Sequence, residues 1–566
     1  MLEYFPRNKK NGELIVPKTN QLKALDLLSS SNKKFVIFSA PTGVGKSLFG
    51  KTYGNYSRSP SNNYLDLVDS GKINKIDDIT KKFIHEDEVY REPSHGCFVL
   101  TPTIALQNQL DKDFDTVVLK GKSHYSCNIE SNKFANDAPC IFSGRQKKIC
   151  LRDKCCDYYN TLDDALISKF SCLSYDKYLS LPDVFKRRQI LVLDEAADIE
   201  NIIVKSYTFV LDTDILKKEK INFIYNPKTL VEDLSECYES ANNKVKKYKA
   251  FIKSNKKAAK KTIDSYNALY AVSIGIERLL KIYEHNKNSY HIKKVDSDIT
   301  FTPLNIDIFC QEIFRHAEKV ILMSATFIDI KRYAKRLGLK QSDYDVVSIS
   351  NGFDPKKSLI YATGWSINKN TFNVNFKDFK SKQIRDKIVT ELDLLLTHHK
   401  DEKGVIHTQN HDITKFIRNQ SINPNSILYK HKNRLLIRAR GEFKNTDLIE
   451  LHTRSDQPTV LVSPSMKTGI DLKDDLGRFQ IIIKCPYMSL IDDRVKIMSS
   501  KDPDWYELEM LKEIIQACGR TTRSAEDSSS TYILDSNFVR AYKNHMRKID
   551  KSFKDRVRIH KKLQRK

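Results

Sequence analysis

Three short patterns in this chain bring together residue types that can do chemistry on a polyphosphate. The first is Ala40-Pro41-Thr42-Gly43-Val44-Gly45-Lys46-Ser47, which follows the apolar run FVIFS and precedes LFGKTYG. Glycines let such a loop curl so that its N–H groups face phosphate oxygens, and a helix starting at its end adds positive potential. Lys46 would then reach the β- and γ-phosphates, and the Ser47 hydroxyl would ligate Mg²⁺. The strict pattern begins with Gly where this chain has Ala40. The second pattern is Asp194-Glu195, closing the apolar run ILVL. A carboxylate at a strand's C-terminal end holds a Mg²⁺ shell, and its neighbour can orient or deprotonate a water. The third is Gln516 with Arg520 and Arg523, whose spacing puts two guanidinium groups on one side of a helix end or turn. Such groups suit the charge that develops on a transferred γ-phosphate. Each pattern alone has an ordinary structural reading; together and in this order they predict Mg-ATP hydrolysis.

The patterns need a scaffold that presents strand ends. Short continuous apolar runs recur along the chain: KKFVIFS, HGCFVLT, RQILVLD, KVILMSATF, KGVIHTQ, PTVLVSPS, FQIIIKC and STYILDS. Runs of this kind are buried on both faces of a parallel sheet. Stretches with helical spacing lie between them, including TNQLKALDLLSS and IALQNQLDKDF. The alternation predicts an α/β chain with two parallel sheets flanked by helices. The block 236–285 has no Pro, one Gly (Gly275) and many Lys, Ala and Glu, so it reads as long helices inserted between strands.

Composition narrows the classes. At 566 residues the chain is long enough for three or four domains, and 40% hydrophobic residues exclude a disordered one. No apolar run reaches the roughly 18 residues of a membrane helix, and MLEYFPRNKKNGE lacks an apolar signal core, so a cytoplasmic protein without membrane contact is expected, with a nuclear one left open. The net charge of +25 points to a polyanionic partner, and +10 of it falls in the basic tail 540–566. Such a tail would add salt-sensitive affinity for nucleic acid or be a solvated helix end. Of eleven cysteines, Cys127, Cys140, Cys150, Cys155 and Cys156 cluster. Four thiolates hold either Zn²⁺ or an iron–sulfur cluster, and buried unliganded cysteines are the remaining reading. Cys172 reads as a buried residue of a strand or helix.

The motifs together resemble superfamily 2 helicases, and more narrowly the XPD/DinG group. SAPTGVGKS resembles motif I, TPTIALQNQL motif Ia, DEAADIE motif II, SATF motif III, SPSMKTGIDL motif V and QACGRTTRS motif VI. The resemblance implies two RecA-like P-loop domains, with a cysteine-cluster insertion and a helical arch insertion. It places a RecA-like domain 1 over 1–119, 173–205 and 301–345, the insertions over 120–172 and 206–300, and RecA-like domain 2 over 346–566. It implies ATP in the cleft between the RecA-like domains and 5′-to-3′ movement on single-stranded DNA, with fork or tailed duplexes as substrates, the motor acting as a monomer and work in repair or replication. By the same resemblance Gln21 reads adenine, and Gly469 and Asp471 help bind the nucleotide. Thr101, Thr103, Ser324, Thr326 and Thr468 hold nucleic-acid phosphates. The resemblance also implies a [4Fe–4S] cluster on Cys127, Cys140, Cys150 and Cys156, with Cys155 the rival for the fourth place. Ala197 departs from the family's DEAH histidine and Ser39 from a frequent glutamate; neither removes a group that hydrolysis needs. An RNA-directed enzyme, a remodeller of protein–DNA complexes and a scaffold that uses ATP only as a switch share these features.

Overall fold

The computed structural model describes residues 1–566 except 8–11, 42, 74–84, 115, 142–143, 256–259, 351–352, 364–378, 438–444, 465–471, 473, 523–525 and 561–566. The chain divides into two compact units, one within residues 1–348 and one built mainly from Ile349–Lys566.

The first unit contains β1 (Phe35–Ser39), β2 (Cys97–Thr101), β3 (Val117–Leu119), β4 (Phe170–Ser174), β5 (Arg188–Leu193), β6 (Phe209–Asp212), β7 (Tyr290–Val295), β8 (Asp298–Pro303), β9 (Ala317–Ser324) and β10 (Tyr344–Ser348). Seven of them form one parallel sheet in the order β10-β1-β9-β5-β2-β4-β3. Its central strands are buried along nearly their whole length, as continuous apolar runs require. The strand order puts the C-terminal ends of β1, β9 and β5 side by side, so Ser39, Ser324 and Leu193 end neighbouring strands. β4 carries Cys172, fully buried, inside this sheet.

Beside that sheet β6-β8-β7 form an antiparallel one, and helices Leu230–Ser254 and Lys260–Tyr283 pack along each other. Gly275 is where the second helix crosses the Phe209 ring of β6, and a Cβ there would overlap the ring.

The second unit contains β11 (Ile360–Thr363), β12 (Gly404–His407), β13 (Leu435–Ile437), β14 (Val460–Ser463), β15 (Phe479–Ile482), β16 (Ser530–Ile533) and β17 (Val557–His560). All pair in parallel in the order β13-β14-β12-β15-β16-β11-β17. Side chains alternate across it: Phe479 and Ile481 pack with Ile388, Leu392 and Ile417, whereas Ile482 packs with Leu511, Ile514 and Phe538 on the other face. The basic segment from residue 540 is folded through residue 560. Helix Asn537–His545 buries Phe538, Ala541 and Tyr542, and β17 is a sheet strand paired with β11. Its apolar residues alternate with basic ones, so a charge sum over the segment hid the strand. Residues 561–566 lie outside the described ones.

Candidate functional site

The loop after β1 turns through two left-handed glycines, Gly43 at φ 80° and Gly45 at φ 84°. Only glycine takes these angles without strain, which is why the pattern needs it there. Gly45 caps helix Lys46–Tyr56, so Lys46 and Ser47 open the helix where its N–H groups are unpaired. Ala40 and Val44 are buried, and Pro41 is half-buried, while Thr42 lies outside the described residues. Gln21 is buried and accepts from the Lys18 N–H at 2.8 Å, so its carbonyl closes the start of helix Thr19–Ser30.

At the end of β5 the chain turns through Glu195, a non-glycine residue at φ 50°. Left-handed backbone at such a residue costs energy and collects at functional turns. The Glu195 N–H donates to Asp194 Oδ1 at 3.0 Å. Glu195 Oε1 lies 3.6 Å from Lys46 Nζ, and the Ser324 hydroxyl donates to Oε2 at 3.2 Å. Lys46, Glu195 and Ser324 thus come from three different pieces of chain onto one carboxylate. Burial, and then the neighbouring Glu195, push the Asp194 carboxyl up to about 7. Two groups that the motifs did not include fix this turn: Tyr175 donates to the Asp194 carbonyl at 2.9 Å and Tyr333 to the Ala196 carbonyl at 2.7 Å. Neither tyrosine lies in a sequence pattern, so only the packing reveals them.

The residues assigned to nucleic acid divide. Thr103 is exposed and accepts from the Leu106 N–H at 3.4 Å as the cap of helix Ile104–Asp113. Thr101 is buried, its hydroxyl engaged with the Thr103 carbonyl and Cys172. Ser324 is likewise buried and spent on Glu195, and Thr326 is buried. Thr468, Gly469, Asp471 and Arg523 lie outside the described residues.

In the second unit Gln516 is in the last turn of helix Pro503–Cys518, and Arg520 follows in the turn, its N–H bonded to the Ala517 carbonyl at 3.1 Å. The side chain of Gln480 lies against this turn, its Nε2 donating to Thr531 at 2.8 Å and to Thr521 at 3.4 Å.

Cys127, Cys140, Cys150 and Cys156 are buried and Cys155 is half-buried. Burial raises the Cys140 thiol, and Cys156 and Cys127 add to the rise; burial pushes Cys150 up to about 12, with Cys155 and Cys140 contributing. Cys140 is therefore the shared electrostatic neighbour of Cys127, Cys150 and Cys156. Among the described residues no group of three or more His, Cys, Asp or Glu converges closely enough to hold one metal ion. No helix among them is long and apolar enough to cross a membrane.

Residues 394–555 match the helicase C-terminal domain family. An XPD helicase structure aligns over 97% of this chain and 100% of its own, with a TM-score of 0.56 at 15% identity. The chain has an XPD-type helicase fold. Two further XPD structures align more loosely: Xpd4 of S. tokodaii over 95% of this chain and 98% of its own (TM-score 0.47, 13% identity), and an apo XPD over 92% and 97% (0.47, 14%). No curated protein matches the chain in sequence. In this XPD-type fold Asp194 and Glu195 follow a central strand of the first sheet, and Arg520 follows the helix before β16.

Proposed function

We propose that the protein is an ATP-driven motor that moves on single-stranded DNA, 5′ to 3′, and parts tailed or forked duplexes. The observation that carries this is the meeting of Lys46, Glu195 and Ser324, beside Asp194, at the phosphate-loop end of an XPD-type sheet. Lys46 binds the β- and γ-phosphates. Asp194 and Ser47 fit Mg²⁺, because a carboxyl raised by burial and then by the neighbouring Glu195 is relieved by a divalent cation, and Mg²⁺ takes oxygen donors. Bound there, the ion would neutralise phosphate charge. Glu195, held by Ser324, orients the attacking water and takes its proton. Gln516 and Arg520 respond to the γ-phosphate, as motif VI implies. Single-stranded nucleic acid is gripped through its backbone without base readout.

The buried cysteines would hold a [4Fe–4S] cluster, as the XPD/DinG resemblance implies, with zinc the alternative. A four-iron cluster takes one thiolate per iron and so tolerates wider spacing. Cys127, Cys140, Cys150 and Cys156 would hold it, with Cys155 the rival for the fourth place. Its role would be structural, ordering the segment between β3 and β4.

The deciding experiment measures ATP turnover with single-stranded DNA and with RNA, then unwinding of duplexes carrying a 5′ or a 3′ tail. DNA stimulation with unwinding from the 5′ tail is expected. Stronger RNA stimulation removes the DNA assignment, and displacement of bound protein without unwinding makes the motor a remodeller.

A further inference from the structure

The last strand of the second sheet reaches back to the motif VI turn. Arg556, one residue before β17, donates from Nε to the Ser358 carbonyl at 2.8 Å and from Nη2 to the Cys518 carbonyl at 3.3 Å. Ser358 leads into β11 and Cys518 ends the helix before Arg520. One planar guanidinium therefore ties the start of a sheet strand to the last carbonyl of that helix, where a cation also suits the helix dipole. The backbone of Arg556 is itself fixed, its carbonyl accepting from the Ile360 N–H at 2.9 Å.

The same turn is held from inside the sheet. Gln480 of β15 is fully buried. Its Nε2 faces the Ala517 carbonyl at 3.5 Å, as well as Thr521 and Thr531. Its Oε1 pairs with His407 Nε2 of β12 at 3.3 Å. Burial lowers the His407 ring to about 4, and the Arg520 guanidinium pushes in the same direction, so His407 is neutral and lies within charge range of Arg520. A Gln within the apolar run FQIII has no packing reason to be polar; its partners are His407 and Thr531 on the neighbouring strands and Ala517 and Thr521 of the turn.

We propose that Arg556 and Gln480 are positioning residues that fix the Ala517–Thr521 turn from two sides, so that Arg520 meets the γ-phosphate in one orientation. The C-terminal strand is then part of the hydrolytic apparatus and not an accessory. This rests on the reading of Arg520 given above.

The test is steady-state ATP turnover of the full chain at saturating single-stranded DNA for Arg556→Ala, Arg556→Lys, Gln480→Leu and Arg520→Ala, with Lys551→Ala as an exposed charge control in the same segment. The expected result is a fall of about tenfold in kcat for Arg556→Ala and Gln480→Leu, with KM for ATP and the thermal midpoint little changed. Arg556→Lys restores part of the rate, because a single ammonium replaces the fork poorly, and Lys551→Ala leaves it unchanged. Unaltered kcat in both Arg556→Ala and Gln480→Leu, or a kcat that falls only in step with the folded fraction, overturns the proposal. If Arg520→Ala abolishes turnover while those two variants keep it, the inference fails alone. If Arg520→Ala keeps full turnover, the reading of Arg520 fails and the inference with it.

Discussion

The two parallel sheets carry their functional groups in opposite ways. In the first, Lys46 opens the helix after a loop whose own glycines set its path, and Asp194-Glu195 follows β5 in a turn that Tyr175 and Tyr333 hold from outside. In the second, Arg520 sits in a turn whose position depends on Gln480, Thr531 and Arg556, drawn from three other strands or their edges. The lesson is that a phosphate-binding loop is a local object, whereas an arginine that must arrive at a phosphate is a tertiary one. Substitutions that damage the first should act on chemistry at once, and those around the second should act by degrees.

The largest effect expected is at the loop. Lys46→Ala should abolish ATP turnover while leaving most single-stranded DNA binding, measured side by side by phosphate release and fluorescence anisotropy; retained turnover would place the phosphate site elsewhere. Next, Cys156→Ser should lose the iron and the brown colour of anaerobically purified protein, whereas Cys172→Ser, buried in β4, should keep both by metal analysis and visible spectrum. A colourless protein with stoichiometric zinc reverses the cluster assignment. Ser324→Ala comes third: loss of one bond to a carboxylate costs roughly 1.5–3 kcal/mol, so kcat should fall about tenfold or more with KM for ATP unchanged.

The smallest effects compare the sheets as packed objects. A Cβ at Gly404 would sit 2.5 Å from the Phe479 ring, and one at Gly54 would overlap Phe170. Gly404→Ala and Gly54→Ala should each destabilise by about 1–3 kcal/mol, read from urea midpoints. Acid should separate the units too. Burial lowers His95 and His316 in the first unit, each to about 4, and His407, His399, His431 and His452 in the second. A histidine lowered from 6.5 favours the native state above that pH, and its contribution is lost as the pH falls from about 6.5 towards 4. The second unit should therefore melt first on acidification, followed by hydrogen exchange; the reverse order would mean carboxylates dominate.

The same contrast explains what could be read before the structure. Apolar runs such as FVIFS and ILVL are buried on both faces, so they announce parallel strands. β7, with the sequence YHIKKV, is buried at Tyr290 and exposed from Lys293 to Val295, and the antiparallel sheet it joins left no such trace. β17 was hidden by its arginine and histidine in the same way. At the site, the loop and the Asp-Glu pair were legible because spacing alone creates them. The engagement of Ser324 with Glu195 was not, since it depends on β9 lying next to β5. Gln480 and Arg556 were invisible for the same reason, their partners being distant in sequence.

β17 also constrains the order in which the protein can be made. Ile360 pairs with Val557 across 197 positions, and β11 has β16 and β17 as its two neighbours. Until residue 560 has left the ribosome, β11 can pair with β16 alone, and its other edge stays open to unwanted pairing. The first sheet is complete once β10 emerges at Ser348, so the two halves mature at different times during synthesis. A pause before the stretch of message that encodes β17 would hold the chain with one finished unit and one waiting edge, the stage at which a chaperone has most to do.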